Sequence, residues 1–207
     1  MSGPRVYGGE TADERRARRR EQLITAAREL LRTEGWGATS MRSVCAKAGL
    51  SDRYFYESFS DRDALLSAVF DEIERDAVRS VGAAITRADP EDPRARTRAA
   101  IAALVDLIAA DPATRRALFD TPDSAGIHQH RRRALRNFAV LLAGEMGATA
   151  EERPSAIDRE LTAHALIGAF QELLTATTEG ELDISHDRLV DHAAAIAGAV
   201  ARVSSGA

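Results

Sequence analysis

The chain has 207 residues, 44% of them hydrophobic and 5% aromatic, with a formal net charge of −4. That supplies a core for one large domain or two small ones, and no run reaches the roughly 18 uninterrupted apolar residues of a membrane span. The polar, arginine-rich start has no apolar signal-peptide core, and the single cysteine, Cys45, excludes an intrachain disulfide; both fit a reducing cytoplasm.

Residues 1–12 hold three glycines and a proline with no apolar period, and are expected to form a disordered arm. A first helix is expected from near Asp13. Leu23, Ile24, Ala27, Leu30 and Leu31 recur on one of its faces, and Gly35-Trp36-Gly37 ends it. A second helix starts at Thr39 or Ser40, either of which can cap it through its hydroxyl. Val44 and Ala48 face inward. Gly49 supplies the positive φ for a tight turn at Ala48-Gly49-Leu50. Ser51 caps a third helix, with Asp52 at its positive end and Leu50, Phe55 and Phe59 as apolar anchors. Ser60 with Asp63 reads as the capping box of a longer fourth helix, carrying Leu65, Leu66, Val69, Phe70 and Ile73 inward as far as Ala88.

Asp89-Pro90-Glu91-Asp92-Pro93 is a break. Beyond it, Ile101, Leu104, Val105 and Ile108 mark a helix reaching Ala110, and Asp111-Pro112 opens a short one. Further helices are expected over 124–146, from Pro154 to Thr178 and from His186 to Val203. No segment alternates as a strand does, so the chain is expected to be all-α, with about nine helices. Residues 13–60 form the head of this scheme and 61–207 the body. Residues 13–62 carry eleven basic and eight acidic side chains, so a positive head precedes an acidic body. That distribution is expected where only the head meets phosphate.

The two short helices and tight turn over residues 39–59 have the pattern of a helix-turn-helix, whose second helix enters a DNA major groove. The surrounding residues strengthen this. Ala26-Ala27-Arg28-Glu29-Leu30-Leu31 is followed by Gly35-Trp36-Gly37-Ala38-Thr39-Ser40-Met41-Arg42 and then Ala46-Lys47-Ala48-Gly49-Leu50-Ser51. Tyr54-Phe55-Tyr56-Glu57-Ser58-Phe59 and Asp61-Arg62-Asp63-Ala64-Leu65-Leu66 complete the series. Together they make the stretch from Arg19 to Ile73 resemble the TetR family of bacterial transcriptional regulators. The resemblance implies a three-helix DNA-binding head. It also implies a variable helical body that binds a small effector and dimerises through its last two long helices. The third helix departs from the family pattern. Asp52 stands where Lys or a small residue is frequent, Arg53 and Tyr54 where Gly then Thr or Ser are common, and Ser58 where His is frequent. Its DNA-facing surface is therefore bulky and carries a carboxylate.

Arg42 and Arg53 are the candidates for base contacts, because a guanidinium can bind guanine O6 and N7 together. Tyr54 either touches DNA or packs on a neighbouring helix. Thr39, Ser40, Tyr56 and Arg62 match positions that hold phosphates in the family. Ser51 joins Thr39 and Ser40 as a residue able to cap a helix and to bind phosphate. Arg15, Arg16, Arg18, Arg19 and Arg20 either follow the DNA backbone or form a solvated helix start. Cys45 is expected to be a buried, inert thiol.

His128 and His130 lie two apart, on nearly opposite sides of a helix, with no chelating partner nearby. No metal, cofactor or enzymatic motif is expected. His164, on an apolar helix, reads as a core or interface histidine or as an effector contact. The expected function is a cytoplasmic homodimeric repressor on a palindromic operator, released by an apolar or amphipathic effector. Phe119, Phe138, His164, Phe170 and Gln171 are candidates for the effector site, and Leu161, Ala165, Gly168, Leu189, Ala193 and Ile196 for the dimer interface. Two other readings remain: a DNA-binding protein with no effector, and a metal-binding helical protein or enzyme in which His128, His130 or His164 meets a carboxylate.

Overall fold

The computed structural model describes residues 11–120 and 156–205, together with 127–129, 131–133, 136 and 137. These are helical, with no strand among the described residues. The helices are α1 (Ala12–Glu34), α2 (Met41–Ala48), α3 (Asp52–Ser58), α4 (Arg62–Arg87), α5 (Pro93–Ala110), α6 (Pro112–Phe119), α7 (Ala156–Thr178) and α8 (His186–Ser205). Within the expected 124–146 helix, residues 127–129, 131–133, 136 and 137 are helical, and the others lie outside the described residues. So do residues 1–10, the larger part of the expected arm.

The chain divides into two compact units. One comprises Met1–Ile73 with Asp111–His130, the other Glu74–Ala110 with Arg131–Ala207. The first unit therefore takes in α6, which the sequence places in the body.

The core of the first unit is built on the apolar stripe of α1. Leu23, Ile24, Ala27, Leu30 and Leu31 are all buried, as the helical period requires, and Ala26 joins them. Val44 and Cys45 from α2, Phe55 from α3, and Leu65, Leu66, Val69, Phe70 and Ile73 from α4 close around this stripe. Ala113 and Ala117 of α6 pack into the same cluster. Burial raises the Cys45 thiol, and the neighbouring Asp52 carboxylate raises it further, so the thiolate is disfavoured.

Side chains fix the helix ends. Thr11 caps α1 in a reciprocal box with Glu14. Ser40 caps α2. Gly49 takes the left-handed conformation (φ 66°), and the Leu50 N–H donates to Cys45 O at 3.0 Å, which stops α2 and turns the chain. The cap of α4 is Asp61 rather than Ser60, because its carboxylate accepts from the Ala64 N–H at 2.8 Å. That bond comes first in holding the Asp61 carboxyl below its ordinary range, followed by one from the Ser60 hydroxyl.

α6 is tied to α1 by polar contacts at both ends. Asp111 caps α6 by accepting from the Ala113 N–H at 3.0 Å, and takes the Arg28 guanidinium at 2.8 Å. From α6, Arg116 Nη1 donates to Leu31 O at 2.6 Å and Arg32 O at 2.9 Å, carbonyls that the end of α1 leaves open. Trp36 donates from its indole nitrogen to Arg116 O at 3.1 Å and stacks on Phe70 with ring centroids 5.5 Å apart.

In the second unit, α8 packs against α5 and α7. Ala100, Ile101, Leu104, Val105 and Ile108 of α5 are buried, with Leu189, Val190, Ala193 and Ala197 of α8. Arg98 bridges to Asp191 at 2.6 Å, and His186 Nε2 lies 2.8 Å from Asp106. The Ser185 hydroxyl caps α8, accepting from the Arg188 N–H at 3.3 Å.

Asp111→Ala removes a cap and the partner of Arg28 together. The expected loss in urea unfolding at neutral pH is about 2–3 kcal/mol. Burial alone would raise this carboxyl, but Arg28, the Thr114 hydroxyl and the Ala113 N–H outweigh it and hold it below its ordinary 3.8. The stabilisation is therefore complete above that value and lost as pH falls further. The gap between wild type and variant should hold at neutral pH and shrink below about pH 4; a gap of constant size through the acid range would refute the assignment.

Candidate nucleic-acid interface

α3 is seven residues long, with Phe55 fully buried and Asp52, Arg53, Tyr54 and Tyr56 exposed around it. Phe59, just past its end, is also buried. One apolar anchor thus pins a helix whose other faces point to solvent. Tyr56 is 62% exposed, an unusual state for a large aromatic. The Arg53 side chain is 84% exposed, and its Nε donates to Glu57 Oε1 at 3.0 Å. Ser51 sits at the N-terminal boundary of α3 but makes no side-chain cap bond, contrary to the capping role expected of it. Its hydroxyl is exposed beside the first amides of the helix. Ser40 and Arg42, at the start of α2, are exposed as well.

Two expected phosphate contacts take a different place. Thr39 is fully buried, and its hydroxyl donates to Gly35 O at 3.0 Å, so it neither caps α2 nor presents a donor to solvent. Arg62 turns inward at the start of α4. Its Nε donates to Thr39 O and its Nη2 to Trp36 O, both at 2.7 Å. These two carbonyls belong to the loop that leads into α2. Arg62 therefore clamps the loop from below, and Thr39 is part of what it clamps. The sequence pattern marks both residues but cannot show which way they face.

Glu57, which the site needs, was not singled out for it, and Arg19 was expected along the DNA backbone or in a solvated helix start. Glu57 takes Arg53 on one oxygen and Arg19 of α1 on the other, the latter at 3.3 Å. The Arg19 guanidinium also lies over the Tyr54 ring, 4.4 Å from its centroid. Tyr54 thus packs against Arg19 of α1, in line with the packing role weighed for it, and is 36% exposed. The signal for Glu57 was available in its spacing, four residues after Arg53 on one helix face. The link to Arg19 was not, since 38 residues separate the pair.

The remaining candidates lie elsewhere. Leu161, His164, Ala165 and Gly168 are exposed on α7, with Leu161 61% open. Leu189 and Ala193 are buried within the second unit, so packing in the subunit uses the side chains expected at a dimer interface, and Ile196 is half-buried. Phe119, Phe170 and Gln171 are half-buried, while Phe138 and His130 lie outside the described residues. His128 is exposed. No group of three or more metal-ligating side chains occurs among the described residues.

Arg62→Met keeps the apolar stem and removes both loop bonds. It is expected to cost about 2–3 kcal/mol in urea unfolding, because two carbonyls lose a charged donor. Measured where both proteins are folded, the slope of log affinity for DNA against log salt should not change. A slope shallower by about 0.9 would return Arg62 to the phosphate contacts.

Residues 23–69 match the model of the bacterial regulatory proteins of the tetR family. An HTH-type transcriptional regulator BetI from Burkholderia cenocepacia (strain HI2424) is 36% identical over 91 residues, 42% of this chain and 45% of that protein. BetI from Burkholderia mallei (strain NCTC 10229) is 37% identical over the same length. The chain thus spans less than half the length of these curated relatives. Among solved structures, a putative transcriptional regulator from Pseudomonas aeruginosa PAO1 shares the fold at TM-score 0.71, with 22% identity over 91% of this chain and 94% of that one. The transcriptional regulator FadR from Bacillus subtilis, in complex with stearoyl-CoA, does so at 0.67, with 17% identity over 87% of this chain and 98% of that one. Residues 23–69 are thus similar to the DNA-binding segment of the tetR family of bacterial regulatory proteins, and the chain shares its all-α fold with these solved structures.

Proposed function

We propose that this chain is a cytoplasmic homodimeric transcriptional repressor whose α3 reads one half of a palindromic operator. The observation that carries the reading is the exposed row Ser51, Arg53 and Tyr56, held by a helix whose one inward residue, Phe55, is fully buried. Rigid placement with polar reach is what base recognition needs. Ser40 and the amides at the start of α2 supply phosphate donors, and Arg42 adds a second basic contact. Thr39 and Arg62 support this surface from within.

The exposed face of α7 supports self-association. Leu161, Ala165 and Gly168 follow one another at i, i+4 and i+7, and small residues allow close helix approach. His164 lies on the same face, which favours an interface role for it. No helix among the described residues is long and apolar enough to cross a membrane. α4 supplies residues to both compact units, so its shift is the proposed route by which an effector in the body alters the head. Phe170 and Gln171 are the proposed lining, and the acyl-CoA in the FadR structure supports an amphipathic ligand class. Such a ligand would release DNA only by its preference for one state of the body.

Arg53→Ala and Tyr56→Ala are each expected to weaken binding to an operator selected from random duplex DNA by about 10- to 100-fold, the cost of one good contact. Both side chains are exposed, so unfolding should move by no more than about 0.5 kcal/mol. Unchanged, salt-sensitive binding by both variants would remove α3 as the reader. For the dimer, Leu161→Glu should shift the sedimenting species toward monomer without loss of helicity; a dimer of undiminished affinity would exclude this face.

A further inference from the structure

We infer that Glu57 is a positioning residue that holds Arg53 for a guanine in each half-site, and that Arg19 and Tyr54 brace it; this rests on α3 being the DNA reader. Arg53 meets Glu57 through Nε at 3.0 Å, leaving its two terminal nitrogens beyond the carboxylate. Those are the atoms that a guanine engages with O6 and N7. Arginine has much rotamer freedom to lose on binding, and fixing its stem beforehand reduces that loss.

Glu57 is itself held. Its side chain is 27% exposed, against 84% for Arg53. Its second oxygen takes Arg19 Nη2 at 3.3 Å, and the Arg19 side chain is 18% exposed. The Arg19 guanidinium is pinned over the Tyr54 ring, and its Nε is buried with no hydrogen-bond partner among the described residues. The chain of contacts runs from α1 through Arg19 to Glu57 and out to Arg53. An exposed pair such as Arg53–Glu57 contributes little to stability, so its consequence lies in where it places the guanidinium. A carboxylate on a DNA-facing helix also repels phosphate, which lowers affinity for all sequences and sharpens the contrast with the correct one.

The test uses the full chain and an operator selected from random duplex DNA, with every base substituted at each half-site position. Wild type should require guanine at one position, and Arg53→Ala should erase that requirement. Glu57→Ala should bind unrelated DNA as well as wild type or better, yet lose about 5- to 20-fold of the preference for guanine at that position alone. Glu57→Gln, which keeps an acceptor for Arg53, should restore part of it. In the Arg53→Ala background, Glu57→Ala should have no further effect on base preference. An even loss across all positions, an intact guanine preference, or an undiminished effect without Arg53 would overturn the inference. Failure of wild type to select any sequence would instead overturn the reading of α3 as a DNA reader.

Discussion

A helix of seven residues has no stability of its own, because nucleation costs more than two turns return. α3 exists because Phe55 is buried. Everything the exposed face of α3 can do depends on that one anchor and on what receives it. α3 packs on α1 and α2, and Phe55 shares one buried cluster with the α1 stripe and with Val44 and Cys45 of α2. Burying a side chain of this size is worth about 1.5–3 kcal/mol, more than any exposed ion pair nearby provides. The polar contacts at the surface thus choose the orientation of a helix whose presence the core has already decided.

The same division of labour runs through the loop ahead of α2. Gly35 and Gly49 adopt positive φ and place the chain reversals. Thr39 and Arg62 then satisfy carbonyls that the reversal leaves without helical partners. Trp36 completes the seat by stacking on Phe70 and donating to α6. The head is therefore more than three helices: α6, distant in sequence, packs into its core and caps the end of α1.

Much of this was legible in the sequence. The apolar period of α1, the left-handed glycine and the burial of Phe55 and Phe59 follow from local pattern alone. Cap positions were less so: Asp61 took the role assigned to Ser60, since several residues near a helix start can accept the same amide. Direction was not legible at all. Thr39 and Arg62 occupy positions of a DNA-binding pattern, yet both face inward, because their partners lie across loops and not along a helix. Leu189 and Ala193 carry the apolar signal of a helix interface, but the sequence does not say whether the partner helix is in the same subunit. Burial of these two within the subunit answers that for them, while Leu161, Ala165 and Gly168 remain exposed.

The account rests on α3 entering the major groove, and methylation interference tests that most directly. Guanine methylated at N7 blocks the major groove edge, and adenine methylated at N3 blocks the minor. With a selected operator, N7 methylation should prevent binding at two clusters about 34–36 Å apart, or a multiple of that, one per half-site. Interference confined to adenine N3, or spread without clusters, would contradict the account.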